Sequence, residues 1–340
     1  MKKYLLPETG SFYKANLHCH STYSDGFKTP AEIKEIYMDK GYSVIAYTDH
    51  DIYVPHDELT DENFVALHGF EIELDEPTAG AYGLIKTCHI CLIGIDPENI
   101  TQPFWNRNKY HFFNKKYIDL IKTDDSEPDY IRRYGAEGTC DVMETAREKG
   151  FFVTYNHPTW SKESYNDYIH YNGMHAIEMF NGACLTMGYD DYNHRVYDDL
   201  LMRGKRIYCI GADDNHNSQI PGSIYCECGV AFTMIKAEKL EYREITKALV
   251  DGNFYASEGP EIHSLWYEDG KVHITCSAAK RINCNYHVRR AATVIGDSNN
   301  PITSAEFSVP ADCGYFRLTV IDENGKHACT NAYFVDELLK

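Results

Sequence analysis

The sequence of 340 residues contains no long apolar run and no early stretch that resembles an export signal. No segment approaches the roughly 20 apolar residues that a membrane-spanning helix needs, so we expect no membrane partner. Near the N-terminus, Pro7 and Glu8 interrupt the first apolar residues before a signal sequence can form. We therefore expect a cytoplasmic protein.

Positive charge is also scarce. The chain has 33 Lys and Arg residues against 51 Asp and Glu, which gives a formal net charge of -18. Proteins that coat nucleic acid need clustered Lys and Arg for their phosphate contacts, so we expect no long nucleic acid as a partner. The 16 histidines and many carboxylates instead indicate a chain equipped to hold cations.

Cysteine is frequent, with 12 residues, but it does not occur in paired zinc-finger spacing. Cys88 and Cys91 have the two-residue gap of a zinc knuckle or a redox pair, and no second such pair lies at the required distance. Both residues fall in a strand-like run. We therefore interpret them as buried small side chains, and we expect the cysteines to be reduced thiols.

The first three quarters of the chain alternate between strand and helix patterns. After the first strand, Thr29 is placed to cap a helix, with Pro30 at its first position and Glu32 closing a capping box. Gly41 then provides the C-terminal stop. The same order recurs as far as the strand predicted at 206–210. The predicted strands are 14–18, 42–48, 64–70, 90–95, 151–155, 175–180 and 206–210.

Polar residues able to bind metal follow almost every predicted strand. Functional residues of parallel α/β sheets and barrels lie at the C-terminal ends of the strands. About seven strands are too many for a small sheet and close to the eight of a full barrel. His89 is irregular because it begins its apolar run, which indicates a strand that runs the other way or starts late. The residues in these clusters are His18, His20, Asp49, His50, Glu71, His89, His157, Asp214 and His216.

Two further regions depart from this alternation. Residues 96–136 are interpreted as an insertion able to form a lid. Beyond Gly259 the helix patterns vanish, and short alternating segments with a type I′ turn signal at Asn324-Gly325 predict an antiparallel β domain. We therefore predict a barrel domain over 1–257 and a small β-sandwich-like domain over 258–340, with no catalytic group in the second.

The polar clusters resemble the motifs of one family, in the same order. They are His18-Cys19-His20, Ser24-Asp25-Gly26, Thr48-Asp49-His50-Asp51, Gly69-Phe70-Glu71-Ile72, His89-Ile90-Cys91-Leu92, Asn156-His157-Pro158 and Asp213-Asp214-Asn215-His216. Over roughly residues 12–257 the chain resembles the polymerase and histidinol phosphatase (PHP) family. The segment from Tyr255 to Pro260 resembles the start of the β domain in a carbamate-hydrolase-like PHP subgroup. The resemblance implies an α/β fold, a distorted (β/α)7 barrel of the TIM type, with a trinuclear metal site.

The resemblance assigns nine residues of this chain to three metal ions. The ligands of the first ion would be His18, His20, Glu71 and Asp214. Glu71 would bridge to a second ion, held also by His89 and His157, and the third would be held by Asp25, His50 and His216. Glu71, Asp214 and His216 would take part directly in catalysis. Mixed imidazole and carboxylate ligands suit zinc, manganese or iron, so we expect two or three divalent ions of these kinds.

Other residues are predicted to support the ligands or to contact the substrate. Asp49 and Asp213 either orient imidazoles or satisfy strand-end and cap positions. Arg195 either clamps a phosphate or lies on a solvated helix face. Trp160 either lines the pocket or packs in the core. The further pocket candidates are Tyr23, Lys162 and Asn181.

These expectations lead to one main functional hypothesis and two alternatives. Three divalent cations against three carboxylates would leave the pocket net positive, which favours a small anionic, phosphorylated substrate. The main hypothesis is a phosphoesterase that cleaves a small phosphomonoester or phosphodiester by attack of a metal-bound hydroxide. A metal-dependent carboxylic ester, carbamate or amide hydrolase is the first alternative. A non-catalytic metal-binding accessory module is the second.

Overall fold

The first part of the chain alternates between strands and helices, as its sequence patterns predict. The computed structural model describes residues 2–77, 82–190, 192–287, 289–297 and 299–338. The elements up to residue 257 are β1 (Lys3–Tyr4), β2 (Ser11–Asn16), α1 (Pro30–Met38), β3 (Val44–Tyr47), β4 (Val65–Asp75), β5 (Thr87–Gly94), α2 (Ala136–Glu148), β6 (Phe151–Tyr155), α3 (Tyr165–Tyr168), β7 (Ala176–Asn181), α4 (Gly182–Thr186), α5 (His194–Met202), β8 (Tyr208–Ala212), β9 (Phe232–Ala237), α6 (Tyr242–Asp251) and β10 (Phe254–Ser257).

Seven strands, β2 to β8, lie side by side in chain order within the main sheet. The pairs within β2–β3–β4 and within β6–β7–β8 are parallel, whereas β5 is antiparallel to both of its neighbours. The mixed α/β architecture predicted from the sequence is confirmed. Of the two alternatives for the strand near His89, a reversed direction or a late start, the structure shows the reversed direction. Because β5 runs backwards, its first residues reach the edge at which the parallel strands end.

The two ends of this run of strands are linked beyond β8. The backbone N–H of Asp214 donates to the carbonyl oxygen of His18, and the N–H of His20 donates to that of Asn215, both over 3.0 Å. Along its length, β2 pairs instead with β9, which runs antiparallel and pairs in turn with β10. The segment that follows β8 therefore lies directly beside the segment that follows β2.

Helix α1 begins and ends where its sequence predicts. The Thr29 hydroxyl accepts a hydrogen bond from the backbone N–H of Glu32, whose carboxylate accepts from the N–H of Thr29. Two unpaired N–H groups of the first turn are thereby satisfied. Ile33 and Tyr37 are buried on the inner face of the helix, and Gly41 follows its end with a φ of 78°. The predicted capping box and C-terminal stop are both confirmed.

In the described part of the last 80 residues, all of the strand pairs are antiparallel. The strands β11, β12 and β15 form one sheet together with β1, while β14, β13, β16 and β17 extend the main sheet from β10. Leu5 and Leu6 are buried in the core between these sheets, so the N-terminus packs on this part of the chain. The division at residue 257 stays a prediction. The elements are β11 (Ile262–Glu268), β12 (Lys271–Ala279), β13 (Arg281–Tyr286), β14 (Ala291–Ile295), β15 (Ile302–Ser308), β16 (Tyr315–Ile321), β17 (His327–Thr330), β18 (Tyr333–Phe334) and α7 (Val335–Leu338).

The predicted hairpin is present, but its turn differs from the prediction. Strands β16 and β17 pair antiparallel from Ile321 to His327, so the loop has five residues rather than two. The Asp322 carboxylate accepts hydrogen bonds from the backbone N–H groups of Asn324 and Lys326, which closes the longer loop. A type I′ turn is therefore the wrong assignment for this pair of strands.

None of the helices in the described part of the chain has the length and hydropathy required to cross a membrane.

Candidate metal centre

Nine imidazole and carboxylate side chains meet at the edge of the main sheet where the parallel strands end. They lie on the segments after β2, β3, β6 and β8, within β4, and near the start of β5. Four overlapping groups have ligand atoms within 4.8 Å of one another. The groups are His20, Asp25, His50 and His216; His18, Glu71 and His157; His18, His20 and Asp214; and His50, Glu71 and His89. All nine residues to which the resemblance assigns metal ions are in these groups.

Backbone pairing beyond the end of β3 sets His50 beside Glu71. The N–H of Asp51 donates to the Glu71 carbonyl over 2.9 Å, and the N–H of Glu71 donates to the Asp49 carbonyl over 3.2 Å. The sequence-based prediction ended this strand at Phe70, but β4 continues to residue 75 because it pairs with β5. Glu71 is therefore held within a strand and not on a loop.

The Glu71 carboxylate lies at the centre of the cluster. Its Oε1 atom is 3.2 Å from His18 Nε2 and 3.4 Å from His157 Nε2. Its Oε2 atom is 3.4 Å from His20 Nε2 and 3.3 Å from His50 Nδ1. Two atoms that are each ~2.1 Å from one tetrahedral ion are about 3.4 Å apart, so these separations are those of shared ligands. The two oxygens face different sets of imidazoles, which suits a bridging position.

The two aspartates occupy different sides of the cluster. Asp214 Oδ1 is 3.2 Å from His18 Nε2 and 3.1 Å from His20 Nε2. Asp25 Oδ2 is 3.4 Å from His216 Nε2. The first aspartate thus faces the fully buried histidines, and the second faces the side that is open to solvent.

Several polar atoms of the cluster have no hydrogen-bond partner among the described residues. They are Asp25 Oδ1, His50 Nδ1, and both ring nitrogens of His89. In addition, the Nε2 atoms of His18 and His20 are only 3.1 Å apart. An unsatisfied buried polar group costs about 1–3 kcal/mol, and a cation bound between these atoms would remove that cost. The residues present therefore fit divalent metal ions.

Neighbouring carboxylates raise the pKa of two imidazoles of the cluster, whereas burial lowers the pKa of a third. Burial lowers the pKa of His18, but the Asp214 carboxylate overcomes this effect and raises the pKa well above its usual value. Burial also lowers the pKa of His89, but the charge of the neighbouring Glu71 carboxylate outweighs this effect and the pKa is raised to about 9. Burial lowers the pKa of His50 to about 3, so its imidazole stays neutral, which is the form that binds metal.

Glu178 supports two of the histidines, although the sequence analysis did not single it out. It lies fully buried within β7, and its Oε1 atom is 2.6 Å from Nδ1 of His18. Its Oε2 atom accepts hydrogen bonds from the backbone N–H of His157 and from the side chain of Asn181. This carboxylate directs the opposite ring nitrogen of His18 into the cluster. Its only sequence signal was a single charge in an apolar strand.

Glu73 and Asn156 also contact candidate ligands, and the sequence analysis gave neither residue a role. Glu73 lies on the same face of β4 as Glu71, and its Oε2 atom is 3.5 Å from His89 Nε2. Burial raises the pKa of Glu73 to about 7. The Asn156 side chain donates a hydrogen bond of 2.8 Å to Glu71 Oε1. The alternation of residues in a strand was the available signal for Glu73.

The two predicted supporting aspartates, Asp49 and Asp213, do not contact imidazoles directly. The Asp49 carboxylate accepts hydrogen bonds from the Ser21 N–H and hydroxyl and from the Ser24 hydroxyl, so it reaches His20 only through Ser24. Asp213 accepts from the Tyr37 hydroxyl and from the backbone N–H groups of residues 229–231. Burial raises the pKa of Asp213 to about 6, against these hydrogen bonds. Both carboxylates hold loops around the cluster.

The predicted substrate residues are placed differently from one another. The Asn181 side chain donates to Asp214 Oδ2 over 3.2 Å, so it contacts a candidate ligand. Arg195 pairs with Asp199 on its own helix, and its side chain is 72% exposed. This position matches the solvated-face alternative for Arg195. Tyr23 stacks on Tyr117, and Lys162 lies over the ring of Tyr189.

The backbone at the cluster adopts conformations that are rare outside glycine. His157, Asp214 and Asp51 have φ angles of 25°, 51° and 59°. Such conformations cost free energy and collect at functional sites, where surrounding contacts enforce them. Close packing adds a constraint at Gly26, where a Cβ atom would lie 2.4 Å from the carbonyl oxygen of His20.

A cavity of about 590 Å³ opens onto the cluster. Seven of the nine clustered residues line it together with Glu73, whereas His18 and His20 lie behind them. Phe112 and Phe113 of the predicted insertion form part of the wall, as does Trp160, whose ring centroid is 5.2 Å from that of His89. Among the described residues, no Lys or Arg lines this cavity. The rest of the uncharged lining is Ala183, Cys184 and Met187.

Comparisons with known proteins give structural likenesses at low sequence identity. No protein-family model and no curated protein sequence matches the chain. Among solved structures, a two-domain protein from Bacteroides vulgatus that contains a predicted PHP-like metal-dependent phosphoesterase is 15% identical. The match covers 98% of this chain and 97% of that one, with a TM-score of 0.44.

Two other solved structures match mainly one part of the chain. One is described as a candidate metal-dependent phosphoesterase from Bifidobacterium adolescentis; it is 15% identical, with 64% of this chain and 91% of that one covered and a TM-score of 0.39. The other is an amidohydrolase from Chromobacterium violaceum with bound sulfate and no metal. It is 16% identical, the match covers 62% of this chain and 93% of that one, and the TM-score is 0.40.

Proposed function

We propose that this protein is a metal-dependent hydrolase of the PHP type, and that its substrate is a small phosphomonoester or phosphodiester. The observation that carries the proposal is the convergence of nine imidazole and carboxylate side chains. Three of them, Asp25, His50 and His89, have buried atoms without a hydrogen-bond partner among the described residues. We further propose three ions, which the overlapping groups of ligand atoms can accommodate, and zinc, manganese or iron as their identity. The backbone hydrogen bonds between the segment after β2 and the segment after β8 support a distorted (β/α)7 barrel.

The chain itself would contribute orientation, charge and exclusion of water. Divalent ions bound at the cluster would act as Lewis acids that activate water and polarise the bond to be cleaved. Glu71 would hold two ions in fixed positions, while Glu178 orients His18 and Glu73 places a carboxylate 3.5 Å from His89 Nε2. Asp25, Asp214 and His216 line the cavity, so these groups would face the substrate.

The charge count of the pocket is less positive than the sequence alone suggested. Three divalent ions would bring six positive charges, and Asp25, Glu71 and Asp214 remove three of them. Glu178 removes a fourth, and Glu73, with a pKa of about 7, removes part of a fifth. A small excess of positive charge would remain, which still favours an anionic group at the metal ions.

A metal-dependent carboxylic ester, carbamate or amide hydrolase is the second candidate. The observation that favours it is the lack of Lys and Arg among the described residues that line the cavity. Enzymes that bind phosphate often contact its free oxygens with such side chains. Here the metal ions alone would have to fulfil that role.

A matched panel of substrates distinguishes the two enzymes and the accessory module. The metal-free protein is loaded with manganese, zinc or iron and assayed with aryl phosphates and the corresponding aryl carboxylic esters. The proposal predicts phosphate release that depends on the ions, is lost in His50→Ala, and is unchanged in the control Arg195→Ala. Ester cleavage without phosphate release would favour the second enzyme. No turnover in any arm would favour a non-catalytic module.

A further inference from the structure

The cavity has two chemically different halves. Its floor consists of the charged and imidazole side chains of the cluster, and its wall is uncharged. We define the apolar wall as Phe112, Phe113, Trp160, Ala183 and Met187. We infer that the substrate carries an aromatic ring on its hydrolysable group, and that this ring rests against the apolar wall. The inference rests on the proposed function, because the reactive group is placed at the candidate metal ions.

The apolar wall begins directly at the candidate ligands. The ring of Phe113 stacks on that of His50 with centroids 5.7 Å apart and an interplanar angle of 24°. The Trp160 ring meets His157 edge to face at 5.1 Å. A group bonded to an ester at the floor would therefore contact these rings without an intervening polar spacer. Offset and edge-to-face contacts between aromatic rings are favourable geometries.

The outer wall exposes large apolar side chains to solvent. Phe112 is 86% exposed and Met187 is 57% exposed. The ring of Phe112 packs edge to face on Phe113, with centroids 5.0 Å apart, so the two phenylalanines form one continuous surface. Exposed apolar surface next to a cavity with a few convergent polar groups is typical of a binding site for an apolar ligand.

Among the described residues, no Lys or Arg lines the cavity that contains this wall. Lys162 lies over Tyr189, Arg195 pairs with Asp199, and Arg132 pairs with Asp51. A substrate with further phosphates or a sugar would leave its polar groups against apolar side chains without partners. A single anionic or ester group joined to an aromatic ring matches both halves of the cavity.

The test compares two non-hydrolysable probes that differ only in the apolar group. Phenylphosphonate and methylphosphonate are titrated calorimetrically into the protein loaded with manganese. We expect phenylphosphonate to bind at least about tenfold more tightly. The double variant Phe112→Ala with Met187→Ala should reduce this ratio severalfold, whereas Ile295→Ala, an exposed apolar residue on β14, should leave it unchanged.

The outcomes separate this inference from the proposed function. Equal affinities, or no measurable binding of phenylphosphonate, would overturn the inference even if small phosphate esters are hydrolysed. A preference for phenylphosphonate that depends on the wall would uphold it, even if no ester is turned over and the proposed function fails. A ratio that the double variant leaves unchanged would also overturn it, because the ring would then bind elsewhere.

Discussion

Among single residues, Glu178 has the role that follows most directly from its contacts. Its carboxylate receives hydrogen bonds on both oxygens and orients His18. The variant Glu178→Gln removes the charge that helps hold His18, and we expect metal affinity to fall by about 10- to 100-fold. Competition with a chelator measures this affinity.

The exposed pair of Glu98 with Arg243 offers a matched control for that variant. Glu98→Gln changes the same atoms in a side chain that is remote from the cluster, so metal affinity should not change. A Glu178→Gln variant with the metal affinity of the unaltered protein would contradict the role assigned to Glu178. A fall shared by both would indicate a general loss of stability instead.

The positions of the candidate ligands were predictable from the sequence, but those of their supporting residues were not. Parallel strands end at the same edge of a sheet, so histidine and aspartate motifs at strand ends are expected to meet there. Glu178 lies within an apolar strand, and Glu73 lies beyond the predicted end of β4. Strand alternation and an isolated charge are weak signals for these two residues, because their roles depend on contacts between segments that are far apart in sequence.

At the scale of elements, the start of α1 provides a test of local sequence signals. Thr29→Ala removes the hydroxyl that accepts a hydrogen bond from the Glu32 N–H. We expect the free energy of unfolding to fall by about 1 kcal/mol. Urea denaturation measures this change, with Thr123→Ala in the predicted insertion 96–136 as a control expected near zero. A loss of equal size in both variants would show that the cap makes no specific contribution.

The contact between β6 and β7 is expected to depend on pH through His175. Burial lowers the pKa of His175 to about 4, and its Nδ1 atom accepts a hydrogen bond from the Val153 N–H. The unfolded chain takes up a proton near pH 6.5, so this histidine stabilises the fold above that pH and loses its contribution as pH falls towards 4.

His175→Asn keeps an acceptor for the Val153 N–H but cannot titrate. The difference in unfolding free energy between the two proteins should change between pH 6.5 and 4, by at most ~1.4 kcal/mol per pH unit. Urea denaturation at several pH values measures it. A difference that stays constant over this range would contradict the assigned proton uptake.

Element types were predicted better than element ends, for a physical reason. The capping box of α1 and the run of β6 are set by local residues, and both were predicted closely. Strand β4 is longer than its apolar run because β5 offers backbone partners as far as Asp75. The loop between β16 and β17 is longer than a two-residue turn because Asp322 closes it.

At the scale of the whole molecule, the stability of the fold is expected to depend on metal ions. Removal of ions with a chelator leaves unsatisfied and mutually repelling groups at the edge of the main sheet, so the thermal midpoint should fall by several degrees. An ion at 100 times its Kd stabilises a protein by about 2.7 kcal/mol. Differential scanning calorimetry before and after addition of manganese, zinc or iron measures the effect. A midpoint that does not respond to any of these ions would contradict the expectation.

The central claim is that the clustered side chains hold metal ions. A crystal structure of the protein soaked with manganese or zinc, with anomalous scattering recorded at the absorption edge of the metal, tests it most directly. The account predicts two or three anomalous peaks, each ~2.0–2.3 Å from nitrogen or oxygen atoms of the cluster around Glu71. A cluster without any peak, or peaks only at other positions in the molecule, would contradict it.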